Sequence, residues 1–180
     1  MKLIGPLMIE HRLIERMLDL VDKAVLSAAN NQKIDTQFLD SLVDFIRWYA
    51  DKTHHGKEEA LLFREVAKKD MSSEHRALLT ELLSDHDFGR RTTGEIREAT
   101  EKFRQGIPGS LPTLMEKCMT LTRFYHGHIE KEDIKFFPAG MIYLSEQEKE
   151  LMLQEFREAD RKMIHAKYVA VVEQYEKSKT

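Results

Sequence analysis

The stretch Thr53–Phe63, "THHGKEEALLF", places two histidines, a lysine and two glutamates in six consecutive positions, 54 to 59, before it turns apolar. A second stretch, Gly127–Phe137, "GHIEKEDIKFF", repeats its grammar. His54 and His128, Lys57 and Lys131, Glu58 and Glu132, Glu59 and Asp133, and Phe63 and Phe137 all stand 74 positions apart, as 54 to 128 shows. Upstream, His11 precedes His54 by 43 residues and His86 precedes His128 by 42 (11 to 54, 86 to 128), so two matching pairs of segments emerge.

On an α-helix, residues four apart differ by about 40° in direction and lie about 6 Å apart along the axis. His54 with Glu58, and His128 with Glu132, therefore each share one face. If those faces look inward, four helices deliver a histidine each and two add a carboxylate. Such a constellation is a dinuclear metal site, and imidazole with carboxylate suits iron, manganese or zinc alike. Two buried glutamates need the compensating charge that a pair of divalent ions supplies.

The bulk numbers agree with helices. In 180 residues of 21.1 kDa, 42% are apolar and 33% charged, with only eight glycines and four prolines. That is enough chain for one good core, in the usage of long helices. A net charge of -3 speaks against a phosphate-backbone binder, so no nucleic-acid partner is expected. The single cysteine, Cys118, excludes an internal disulfide framework. Glu10, His11 and Arg12 interrupt the apolar start before a signal core is complete, and no run of about 18 apolar residues exists to span a bilayer. No membrane contact and a cytoplasmic location are the expectation.

Helical periodicity recurs in five segments. The first should run from about Pro6 to "SAANN", the second from near Asp35 to before Met71, and the third from a Ser72 or Ser73 cap to Gly106. The fourth should start near "SLPTLMEK" and stop at Pro138. The fifth opens with a capping box, Ser145 and Glu148, and should extend to the polar tail. Short connections favour an up-down-up-down four-helix bundle, so the expected fold is all-α: residues 1–140 form the bundle and 141–180 an additional C-terminal helix packed on it in the same domain. Gly56, Gly89 and Gly127 lie inside expected helices, where each costs roughly 1 kcal/mol relative to alanine; such inconsistencies mark close packing or functional sites.

The order His-x-x-x-Glu differs from the Glu-x-x-His of ferritin-like di-iron bundles, and "HExxH" is absent. With His11, "HHGKEEALLF", "SDHDFG" and "HIEKEDIKFFP", the chain resembles the hemerythrin-like, HHE cation-binding family over about residues 5–140. The resemblance implies that His11, His54, His86 and His128 bind iron and that Glu58 and Glu132 bridge two iron ions. His55 stands as the rival of His54. Asp133 and Glu15, four after His11, are further candidates, and Tyr49 and Tyr125 are expected to line the pocket. The oxygen-carrying members add a second histidine on the third helix, four from the first, where this chain has Leu82 and Arg90, so one histidine ligand is missing from the expected set. Glu10 and Asp85 read as groups beside the ligands.

The resulting expectation is a non-haem di-iron protein whose partner is a small ligand such as oxygen, peroxide or nitric oxide, served by a redox partner protein, with weak oxidase or peroxidase-type activity as its enzymatic form. The competing expectation is a sensing or iron-donating protein without turnover.

Overall fold

The computed structural model describes residues 3–160 and 164–177, and the described chain is all-helical. Helix α1 spans Gly5–Asn31, with Pro6 in its first turn, where a missing N–H costs nothing. Helix α2 covers 36–67 and is capped by Asp35, whose side chain accepts from the N–H groups of Gln37 and Phe38. Helix α3, Ser73–Arg104, takes Ser72 as its cap. Helix α4 covers 110–141 and follows a turn in which Gly106 and Gly109 hold positive φ, the conformation that favours glycine. Helices α5, Glu146–Asp160, and α6, Ile164–Lys177, complete the described chain. The Ser145–Glu148 capping box opens α5 as expected.

Each of the first four helices returns along its predecessor, and α1 closes the bundle against α4. One apolar cluster fills one end, with Met17, Val21, Phe38, Phe45 and Leu121 among its members. A second fills the other end, with Leu7, Phe63, Leu82, Phe137 and Phe156. The C-terminal helices join different clusters: Phe156 of α5 packs in the second, Tyr168 and Val172 of α6 in the first.

Two long helices are not α-helical throughout. Wide π turns, whose N–H groups reach back five residues, run over Ile46–His55 and Glu58–Phe63 in α2 and over Lys131–Phe136 in α4. The sequence expectation that Pro138 ends the fourth helix is corrected, since α4 continues to Met141. Proline breaks an α-helix by clashing with the carbonyl four residues back; a widened turn immediately before it relieves that clash.

No helix among the described residues is long and apolar enough to cross a membrane.

Candidate metal centre

Between the two apolar clusters lies a layer of buried polar groups, and every one of the four bundle helices contributes to it. His11 comes from α1, His54, His55 and Glu58 from α2, His86 from α3, and His128 and Glu132 from α4, each at most 2% exposed. The six residues singled out by the repeat all converge here. His55 joins them as an addition, where the sequence had offered it as the rival of His54. In an α-helix consecutive side chains diverge by about 100°. The π turns of α2 reduce the rotation per residue, and both imidazoles enter the core, with ring centroids 5.6 Å apart.

The donor atoms fall into two groups. His55, His86 and His128 make one; His11, His54, Glu58 and Glu132 make the other, and within each group the atoms lie within 4.8 Å of one another. Two donors on opposite sides of one ion, at about 2.1 Å each, are about 4.2 Å apart, so each group is of a size to close on a cation. The carboxylates face both groups. Glu58 Oε1 is 3.3 Å from His54 Nε2 while its Oε2 is 3.5 Å from His86 Nε2. Glu132 Oε2 is 3.2 Å from His11 Nε2 and 3.3 Å from His128 Nε2, and its Oε1 is 3.7 Å from His86 Nε2.

The opposite nitrogens of four rings are fixed by acids. Nδ1–H of His11 donates to Asp133 (2.8 Å), His54 to Glu10 (2.8 Å), His86 to Glu59 (2.7 Å) and His128 to Asp85 (3.3 Å). These bonds set the tautomer and aim each Nε2 inward, the usual support of a metal-binding imidazole. Glu10 is itself buried and held by Lys57, which also bonds Asp160 at the end of α5 (2.6 Å). Aromatic faces close the layer: Phe137 stacks on His11, Phe63 on His86 and Phe124 on His128, at 5.6 to 5.7 Å.

Among the described residues, ten buried side-chain atoms have no hydrogen-bond partner: both oxygens of Glu58 and Glu132, Nε2 of His11, His54, His86 and His128, and both ring nitrogens of His55. Buried polar groups are almost always satisfied, and ten orphans in one layer, every residue among them offering a lone pair suited to a cation, fit a metal centre. Electrostatics point the same way. Burial beside Glu132 drives the Glu58 carboxyl far up. Burial also penalises Glu132, but His128, His11 and His86 outweigh it and hold that carboxyl well below its ordinary range. Burial lowers His11, yet its bond to Asp133 and the nearby charge of Glu132 prevail and raise it to about 9. His54, penalised by burial and by His11, falls to about 4. Without metal, protons have to stand in for the missing positive charge.

A family comparison fits this geometry: the model for the hemerythrin HHE cation binding domain matches residues 3–139. The chain belongs to the hemerythrin HHE cation-binding family. No curated protein and no solved structure matched it. As an HHE domain it is a cation-binding protein, and its buried histidine and glutamate groups fit that property.

The remaining sequence candidates fall outside the two donor groups of this HHE domain. Asp133 holds His11 from behind, and Glu15 lies 2.9 Å from Arg12 instead. No second histidine enters the layer from α3, while His55 on α2 brings the buried histidines there to five. Tyr125 packs face-on to His55 at 6.1 Å. Tyr49 stacks on Phe45 within the first apolar cluster. Gly89 is close packing, since a Cβ there would stand 3.3 Å from Phe124 and from the Tyr125 hydroxyl.

Proposed function

We propose that this protein is a non-haem di-iron protein that binds, or reacts with, oxygen, peroxide or nitric oxide at an incompletely coordinated iron. His55, His86 and His128 would hold one ion, His11 and His54 the other, and Glu58 and Glu132 would bridge them. The observation that carries this reading is the asymmetry of the donor set. With both carboxylates shared, one position has five protein donors and the other four, and a small ligand finds room at the poorer one. When bound, a pair of iron ions supplies a ferrous–ferric couple and positions open to a small ligand.

The chain's own contribution is to hold and exclude. The four acid partners hold the proton at Nδ1, make Nε2 a stronger donor to a cation and keep the rings correctly turned, and Phe63, Phe124 and Phe137 keep bulk water off the rings. Metal analysis of anaerobically purified protein, followed by an optical spectrum as air is admitted, tests the proposal. About two irons per chain and a new visible charge-transfer band are expected; two zincs, or iron indifferent to oxygen and to nitric oxide, would refute it. Decay of the band marks an enzyme of oxidase or peroxidase type, and its reversal marks a carrier.

One observation favours a sensing role as the second reading. Asp160 at the end of α5 is linked through Lys57 and Glu10 to His54, so occupancy of the site and the seating of the C-terminal helix are mechanically joined.

A further inference from the structure

A cleft of about 250 Å³ opens between α2 and α3 and ends on the outer face of His55. Its wall carries three arginines, Arg47, Arg90 and Arg97, against one acid, Asp51. Arg90 is committed: it bonds Asp51 (2.8 Å), Glu59 (2.6 Å) and Asp87 (2.9 Å), and so neutralises the acid of the cleft. Arg47 and Arg97 are not. Both are exposed and neither makes a hydrogen bond or ion pair with any described residue, so both guanidinium groups are available to an anion that enters the cleft. Each offers the planar fork that matches a carboxylate or phosphate.

The floor adds a donor and an apolar surface. Tyr125 lines the cleft, is nearly fully buried, and its hydroxyl has no hydrogen-bond partner among the described residues. Burial pushes its ionisation far up, so the hydroxyl stays a donor. Val43 and Ile46 supply the apolar side.

A second, independent feature keeps this space open. Gly94 sits in the middle of α3, a position where glycine is a poor choice, and it lines the cleft. A Cβ built there meets nothing within 4 Å. No packing contact requires a glycine, but a longer side chain would occupy the cavity.

We infer that this cleft is a binding site for a small organic oxyanion, a carboxylate or phosphate ester held by Arg47 and Arg97 with its apolar body against Val43, Ile46 and Tyr125. The cleft shares His55 with one donor group, but the inference rests on its arginines and tyrosine and stands whether or not the metal reading does.

Titration calorimetry of the full, metal-loaded chain with benzoate and with phenyl phosphate tests it. One-to-one binding of at least one probe is expected, and which one binds tells carboxylate from phosphate. The Arg47→Gln/Arg97→Gln double variant should weaken that binding at least tenfold. Gly94→Leu, which keeps both arginines and improves the helix, should abolish it without changing helical content. Binding of neither probe would overturn the site. So would binding of equal strength in the arginine variant, which would place the anion on the metal.

Discussion

The two halves of the bundle, α1 with α2 and α3 with α4, build the same support around the centre. Glu10 on His54 is answered by Asp85 on His128, and Asp133 on His11 by Glu59 on His86. Lys57 on Glu10 is answered by Lys131 on Asp85, and Phe137 over His11 by Phe63 over His86. Among the donors the correspondence fails at one inward position. Where the first half has His55, the second has Ile129, a buried member of the apolar cluster. Backbone geometry fails there too: the π turns of α2 begin at Ile46, before the histidine pair, whereas those of α4 begin at Lys131, after His128 and Ile129. A matched frame thus holds an unmatched donor set, and the difference between the halves is what would leave one ion poorer in ligands.

The largest effect expected is from removing the metal, which breaks both halves at once. A ligand present at about a thousand times its dissociation constant stabilises by about 4 kcal/mol. At roughly 2–4 °C per kcal/mol for a domain of this size, chelation should lower Tm by about 8–16 °C in calorimetry. A metal-free chain that melts unchanged would show that the ten orphaned atoms are satisfied in another way. The stripped protein should also show His11 in its pH dependence. Its raised value, about 9, means stability that is complete below about 6.5 and is lost as pH rises through 9. His11→Gln in the metal-free chain should flatten that decline, as read from urea melts at pH 6, 8 and 9.5.

His55→Ile makes the halves alike. The expected result is a fall from two ions per chain to about one, measured by elemental analysis after dialysis. Without metal the sign reverses: the substitution removes an imidazole whose two nitrogens make no hydrogen bond with any described residue, Nδ1 standing 3.6 Å from Asp51, and the metal-free variant should be more stable than its parent by about 1–3 kcal/mol. The converse change, Ile129→His, should add no ion, because the regular helical turn at that point directs the side chain into the apolar cluster, at a cost of about 2–3 kcal/mol.

This pair also shows what could be read from the sequence. The repeat at 74 residues identified His54, Glu58, His128 and Glu132, and the upstream histidines added His11 and His86, because inward positions on a four-helix bundle leave a periodic trace. His55 was legible only as a possible additional or alternative ligand, the rival of His54. Under a regular helical turn, neighbouring residues cannot both face the core, and nothing in "WYADKTHHGKEE" announces a widened turn. The same assumption made Pro138 a helix end. Asp133 was visible as a candidate ligand, but whether an acid faces the centre or the back of an imidazole depends on side-chain length and register, which spacing alone does not fix. Lys57 repeated as Lys131 without revealing its part, because its partner Asp160 belongs to α5, outside the repeat.

The supporting acids should differ between halves as their burial does. Glu10 is 1% exposed and tied to Lys57, which is itself buried; Asp85 is 19% exposed in its side chain and shares Lys131 with Glu81. Second-layer partners of metal-bound histidines contribute 10–100-fold in affinity. Glu10→Gln should fall near the upper end of that range and Asp85→Asn near the lower in competition titrations with a chelator. Equal losses would mean that solvent reaches both partners alike.

The smallest expected effect separates two glycines on facing helices. Gly127 lies one residue before His128 in the regular part of α4, is exposed, and a Cβ there would meet nothing within 4 Å. Gly127→Ala should therefore stabilise by about 0.5–1 kcal/mol through helix propensity and a less flexible unfolded chain, with metal content unchanged. Gly89 of α3 has the same propensity to gain and no room for it: the added methyl would press on Phe124, which covers His128, and on Tyr125, which covers His55. Gly89→Ala should lose the gain and perturb the metal spectrum as the two rings shift. If Gly127→Ala perturbed that spectrum instead, the helix around His128 would have to be less regular than it is, and the contrast between α2 and α4 would lose its basis.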